Sequence, residues 1–160
     1  MDTADGLAVP KASGQDTRRQ LEVMTDSRMG AFGGMALVVL VVLKVLALGA
    51  IEDDRLFVLV GVAMWGRWGQ QWAIARYPYL KRDGKGAFHK AALPTIGHTV
   101  PCLLGLLGIQ ALWMALGWIS LPLGLLMIGG GIIFSLLSSA YYNWQLGGHT
   151  GATYGAVVEW

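Results

Sequence analysis

The chain has 160 residues, of which 54% are hydrophobic and 14% are charged, and its formal net charge is +2 at pH 7. A single water-soluble core of this size has no room for so many apolar side chains. The single cysteine, Cys102, excludes an internal disulfide framework. The composition therefore predicts a membrane protein, and we expect membrane lipid rather than nucleic acid around it.

Four long apolar stretches organise the chain, each close to the roughly 20 residues that a helix needs to cross about 30 Å of hydrocarbon. They run over Ala31–Ile51, Leu56–Ala75, Val100–Ile119 and Pro122–Tyr142. We expect an all-α, polytopic integral membrane helix bundle of about four transmembrane helices, forming one membrane domain over residues 1–160. Before the first stretch, Asp16 is placed to cap a short helix from Thr17 to Met24.

Most of the basic residues lie before the first stretch and between the second and the third: Lys11, Arg18, Arg19, Arg28, Arg76, Lys81, Arg82, Lys85 and Lys90. Basic loops stay in the cytoplasm. We therefore expect residues 1–30, 76–99 and 143–160 to be cytoplasmic, and the protein to lie in the cell inner membrane with its active face in the cytoplasm.

The N-terminal segment offers the first candidate site. Asp2 and Asp5 are three residues apart, so their carboxylates share one face if the segment is helical. Mg²⁺ suits such oxygen ligands, since it usually takes one or two carboxylates and leaves its other positions to water and phosphate. The alternative is a solvated N-terminus without a ligand.

A second candidate, Asp26-Ser27-Arg28, precedes the first stretch. These residue types suit a metal and a phosphate together, because Arg binds phosphate bidentately. The alternative is a helix start with an interfacial arginine.

Arg67 lies inside the second apolar stretch and is followed by Gln70 and Gln71. Ionisable groups at membrane depth usually face the bundle interior or a water-filled cavity. The alternative is an arginine that snorkels towards the cytoplasm.

The last candidate is a glycine motif, Gly147-Gly148-His149-Thr150-Gly151. Glycines with hydroxyls and a histidine can form a backbone cradle for phosphate oxygens. A bare glycine-rich turn explains the pattern nearly as well. As a metal site it is poor, because His89, His98 and His149 lack ligand spacing.

Taken in order, these segments resemble the cobalamin synthase family, the adenosylcobinamide-GDP ribazoletransferases. The resemblance covers essentially the whole chain. The segments that carry it are Asp2–Leu7, Met24–Gly33, Gly66–Trp68, Tyr77–Tyr79 with Gly84, Gly86 and Phe88, Leu146–Gly151 and Thr153–Ala156. It implies an integral-membrane, Mg²⁺-dependent transferase that joins adenosylcobinamide-GDP to α-ribazole, or its 5′-phosphate, and releases GMP. It also implies that Asp2 and Asp5 belong to the family's acidic, metal-binding motif and that Asp26, Ser27 and Arg28 belong to its second polar motif. From their chemistry we predict three catalytic residues, Asp26, Arg28 and Arg67. The predicted substrate-binding residues are Ser27, Gly147, Gly148, His149, Thr150 and Gly151.

Three departures from the family pattern bear on activity. The family's acidic motif begins upstream of Asp2, Ala152 stands where the family usually has Asp, and the family continues past Glu159 into more apolar helix. We therefore expect an internal or truncated portion that is weakly active or inactive. Two other functions remain open: a membrane phosphotransferase of the CDP-alcohol type, and a non-catalytic membrane subunit or transporter, which the polar groups of Arg67, Gln70 and Gln71 favour.

Overall fold

The computed structural model describes residues 1–9, 16–25, 28, 30–81 and 86–159, and the chain divides into two compact units, Met1–Glu52 and Asp53–Trp160. These described residues form helices and no β-strand. The expected all-α class is therefore confirmed.

The first unit consists of α1 (Asp2–Leu7), α2 (Asp16–Val23) and α3 (Ala31–Gly49). Helix α1 packs against both of the others. Gly6 allows this close approach, because a Cβ there would overlap the buried side chain of Met24, which directly follows α2. Helix α3 is apolar apart from Lys44, and only Gly33 among its residues is buried within the structure. This is the pattern of a helix whose surroundings are lipid or other membrane helices.

The second unit is built around one helix. Its elements are α4 (Arg55–Arg76), α5 (Ala87–Ala92), a 3₁₀ turn over Ile96–Thr99 that leads into α6 (Val100–Ala115), α7 (Leu121–Leu146) and α8 (Gly151–Glu159). Helix α4 packs mainly against α7 and α8. Its buried side chains Trp65 and Trp68 form the core together with Leu106 of α6.

Small residues let α4 and α7 approach closely. The facing pairs are Gly61 with Met127, Gly131 with Trp65, and Gly69 with Ser135, and a Cβ on any of these glycines would overlap its partner. The Ser135 hydroxyl also donates a hydrogen bond of 3.3 Å to the Trp65 carbonyl. Because both helices advance in the same direction through these pairs, α4 and α7 are parallel. That is the relation expected of the second and fourth spans of a bundle with short connections.

Among the residues that the structure describes, three helical segments are long and apolar enough to cross a membrane: α3, Ile96–Ala115 and α7. The protein is thus a membrane protein with a helical bundle, as predicted. Helix α4 has 22 residues and is about 33 Å long, but it is not among the three. Arg67, Gln70 and Gln71 make its second half more polar, and α7 and α8 cover much of that half.

The helix boundaries follow the apolar stretches closely at their starts. At its end, α6 stops at Ala115 rather than near Ile119, because Gly117 adopts a left-handed conformation with φ of 70°. Helix α7 continues to Leu146, where Gly147 ends it in the same way, with φ of 76°. Helix α2, Asp16–Val23, begins and ends one residue before the short helix predicted from Thr17 to Met24.

Candidate functional site

Asp5 is held at the start of the membrane helix of the first unit. Its Oδ2 accepts a hydrogen bond of 2.9 Å from the Gly30 amide, and its Oδ1 accepts one of 2.8 Å from the Gly33 amide. The first amides of a helix have no partner within the helix and carry the positive end of its dipole. The carboxylate of α1 therefore satisfies two of the orphan donors of α3.

Both amide donors belong to glycines for a steric reason. A Cβ at Gly30 or at Gly33 would overlap the Asp5 carboxylate, whereas the space beside Gly34 is open to 4 Å. Sequence reasoning selected Asp5 as a ligand and missed these two glycines. The spacing of Gly30 and Gly33 by three residues at a helix start was the available signal.

The other predicted residues of this unit are placed differently. Asp2 is exposed and lies with Asp5 in the first turn of α1. Arg28 is exposed, whereas Asp26 and Ser27 lie outside the described residues. Within the described ranges, no group of three or more Asp, Glu, His or Cys side chains is arranged to hold a metal ion.

The residues present nevertheless fit Mg²⁺. Each carboxylate oxygen has about two lone-pair sites, and each oxygen of Asp5 uses one of them for a backbone amide. One site per oxygen is left for a cation. Mg²⁺ commonly binds through one or two carboxylates and completes its shell with waters and substrate phosphates. Asp5 and exposed Asp2, on the same turn of α1, can supply these one or two carboxylates.

In the second unit, Arg67 is exposed on α4, between the buried residues Trp65 and Trp68. Its Nη1 donates a hydrogen bond of 3.3 Å to Oε1 of Gln70. Its guanidinium therefore lies outside the packed core of this unit. It is sterically accessible to an anion such as phosphate.

The glycine motif forms the joint between α7 and α8. The His149 amide donates to the Pro78 carbonyl at 2.8 Å, and the Leu80 amide donates to the His149 carbonyl at 2.9 Å. These bonds fasten the motif to the segment that follows α4. Gly148 is buried here, and a Cβ on it would come within 2.8 Å of the Pro78 carbonyl oxygen.

The His149 side chain is fully buried. Its Nε2 donates to the Ser139 carbonyl at 3.0 Å, and its Nδ1 lies 3.1 Å from the Thr153 hydroxyl. The ring stacks between Tyr77 and Tyr154, with centroid distances of 5.3 and 5.4 Å. Burial, opposed by the hydrogen bond to Ser139, lowers the pKa of His149 to about 4. The imidazole is therefore neutral at pH 7.

A reciprocal pair of hydrogen bonds starts α8. The Thr153 amide donates to the Thr150 hydroxyl at 3.3 Å, and the Thr150 amide donates to the Thr153 hydroxyl at 2.8 Å. This is a capping box with Thr153 in the place usually taken by Glu or Gln. Of the five glycine-motif residues predicted to bind substrate, Gly148, His149 and Thr150 are thus buried in the joint, while Gly147 and Gly151 are exposed.

Lys90 has a role that its position in a basic loop did not indicate. Its Nζ donates to the carbonyls of Ile74 and Ala75 at 2.6 and 3.0 Å. A lysine at the C-terminal end of a helix satisfies orphan carbonyls and complements the helix dipole. Partial burial lowers the pKa of Lys90, and its charge contributes to the low pKa of His149.

Comparison with known proteins places these features in a family. The family model described as Cobalamin-5-phosphate synthase matches residues 1–160. An adenosylcobinamide-GDP ribazoletransferase of Trichormus variabilis is 46% identical over 160 residues, which are 100% of this chain and 62% of that protein. One of Thermosynechococcus vestitus is 49% identical over 160 residues, which cover 100% of this chain and 60% of that protein. The chain thus spans about three fifths of the length of these curated relatives. No solved structure matches the chain significantly.

Proposed function

The chain belongs to the cobalamin-5-phosphate synthase family, and from this membership we propose that it performs the chemistry of an adenosylcobinamide-GDP ribazoletransferase. The match over residues 1–160, together with relatives of that name at 46% and 49% identity, supports the proposal. The substrates are adenosylcobinamide-GDP and α-ribazole or its 5′-phosphate. A ribazole hydroxyl attacks the phosphorus on the cobinamide side, the bond between the two phosphates breaks, the hydroxyl proton is lost, and GMP leaves.

Asp2 and Asp5 are the residues that would hold Mg²⁺ in the first unit. A bound Mg²⁺ supplies neutralisation of the diphosphate charge. Asp5 contributes a carboxylate whose orientation is set by the Gly30 and Gly33 amides, so its geometry is prepared before substrate arrives. Exposed Asp2 contributes a second carboxylate from the same turn.

The exposed arginines serve as phosphate-binding groups, Arg28 in the first unit and Arg67 in the second. Exposure of both side chains is the observation that supports this role, since a guanidinium binds phosphate through paired N–H donors. Asp26 and Ser27 stay predictions from sequence, as catalytic and substrate-binding residues respectively. Direct substrate contact by the glycine motif rests on its exposed members Gly147 and Gly151.

The active face is proposed to be cytoplasmic, in the inner membrane. The charge distribution and the parallel course of α4 and α7 support it. The connection at Asp53 then lies on the opposite face. A cysteine introduced at position 53 should react with a membrane-impermeant maleimide only from that outer side. Labelling of position 53 only from the cytoplasmic side would overturn this topology.

A direct assay tests the activity. The chain in lipid nanodiscs, given adenosylcobinamide-GDP, α-ribazole and Mg²⁺, should release GMP slowly. Asp5→Asn should lower the rate by about 100-fold or more, because loss of a metal-ligating charge exceeds the 10–100-fold that outer-shell partners usually contribute. Asp53→Asn, the same change in an exposed connection, is the matched control and should leave the rate unchanged. Undiminished GMP release by Asp5→Asn would refute the metal assignment.

A further inference from the structure

The two amides that Asp5 binds are the pair that a capping box satisfies. Gly30 is the N-cap of α3, and Gly33 is its third helical residue. In a capping box, the N-cap side chain accepts from the third amide and the third side chain accepts from the N-cap amide. Glycine can supply neither side chain. One carboxylate from α1 does both tasks, through Oδ1 to Gly33 and Oδ2 to Gly30.

This arrangement fixes the plane of the carboxylate. Two donors at 2.9 and 2.8 Å, one to each oxygen, restrain rotation about the last side-chain bond. Helix α1, which carries Asp5, has only six residues and is too short to be stable by itself. The two hydrogen bonds therefore also help to hold α1 in place. The lone pairs not used by the amides then point in defined directions. Outer-shell partners of this kind commonly orient metal-ligating carboxylates.

We propose that Gly30 and Gly33 are positioning residues that hold the Asp5 carboxylate in the orientation required for a divalent cation. The inference rests on the proposed function, because it assumes that Asp5 is a metal ligand. It adds that the start of the first membrane helix and the acidic residues of α1 act together in binding the cation. A Cβ at either glycine would overlap the carboxylate and displace it.

The chain contains a matched control. Gly33 and Gly34 are neighbours in the same helix, yet only a Cβ at Gly33 meets Asp5, while the space beside Gly34 is open. Gly33→Ala and Gly34→Ala therefore make the same change in composition and in helix propensity. They differ in whether the added methyl group meets the Asp5 carboxylate. Gly30→Ala is a second variant, and its backbone, with φ of −79° and ψ of 173°, is accessible to alanine.

Mn²⁺ binding to the purified chain in nanodiscs, followed by electron paramagnetic resonance, is the experiment. Gly33→Ala and Gly30→Ala should weaken Mn²⁺ binding by about 10-fold or more and alter the spectrum of the bound ion, and Gly34→Ala should do neither. Mg²⁺ should displace the bound Mn²⁺. Circular dichroism checks the helix content of each variant. If Gly33→Ala loses helix content, the Mn²⁺ binding of Gly30→Ala provides the test instead.

The outcomes separate this inference from the proposed function. Equal Mn²⁺ binding by Gly33→Ala, Gly30→Ala and Gly34→Ala would overturn the positioning role, even if the chain releases GMP. Absence of Mn²⁺ binding to the unsubstituted chain would also overturn it. Weakened binding in the two glycine variants, in a chain that releases no GMP, would support the positioning role while overturning the expected slow GMP release by this chain.

Discussion

The carboxylates of α1 and the glycine motif between α7 and α8 differ in whether their polar atoms remain available to bind a ligand. Asp5 is held by two amides but keeps a lone pair on each oxygen, and Asp2 beside it is exposed. In the glycine motif, the polar atoms of His149 and Thr150 are buried and bonded to other parts of the protein. The first region is suited to binding, and the second is suited to fixing the chain.

Similar residue patterns therefore led to two different structural roles. Glycines beside polar residues occur in both regions, but they serve different neighbours. Gly30 and Gly33 make room for the Asp5 carboxylate, whereas Gly148 makes room for the backbone at Pro78. Substitutions should separate the two regions, since changes in the glycine motif should act mainly on stability.

The largest stability effect should come from the pH dependence of His149. Its pKa is about 4 in the folded protein against 6.5 as the ordinary value, so between these pH values the unfolded state binds a proton that the folded state does not. Stability is therefore full above pH 6.5 and should fall by about 2–3 kcal/mol as the pH decreases to 4. Unfolding in mixed micelles, followed by tryptophan fluorescence from pH 8 to 4, measures it.

His149→Phe keeps an aromatic ring in the stack and removes the titrating group, so this part of the pH dependence should disappear. His98→Phe is the control, because His98 is exposed and its replacement should leave the pH dependence unchanged. An unchanged slope in His149→Phe would show that another group controls acid stability. Mn²⁺ binding at pH 7 should be the same in both variants.

Gly148→Ala should have the next largest effect. The added methyl would meet the Pro78 carbonyl and the Leu80 side chain, and overpacking of this kind usually costs about 1–3 kcal/mol. Gly155→Ala is the matched control: its surroundings are open, and within α8 it should stabilise the protein by about 0.5–1 kcal/mol. Chemical unfolding measures both. If the two variants are equally stable, the joint is not tightly packed at Gly148.

Ala152→Asp should have the smallest effect on stability. Ala152 lies in the first turn of α8, where a carboxylate gains about 0.3–1 kcal/mol from the helix dipole. The resemblance gives the family an Asp at this position, so in a chain extended at both ends with family-like sequence Ala152→Asp is expected to raise Mg²⁺-dependent GMP release. Thermal unfolding and the GMP assay measure the two effects separately. A stability gain without a gain in rate would show that the position is structural.

Much of the architecture could be predicted from local patterns. The apolar stretches mark α3, α4, α6 and α7 to within a residue at their starts, because membrane helices are recognised by hydropathy and length alone. The pairing of Asp2 and Asp5 on one turn follows from helical periodicity in the same way. These properties depend on residues that are near one another in the chain.

The partners of Asp5 and His149 were decided by contacts between distant segments. Asp5 meets amides that lie 25 and 28 residues away. His149 bonds through its backbone to Pro78 and Leu80 and stacks on Tyr77, all of which precede α5 and α6 in the chain. The sequence around an acidic residue or a histidine does not predict whether its lone pairs will accept hydrogen bonds within the folded protein. Sequence alone therefore determined the membrane helices and their candidate polar residues. Tertiary packing decided which of those residues remain open to a ligand, because burial and hydrogen-bond partners are set only when the helices meet.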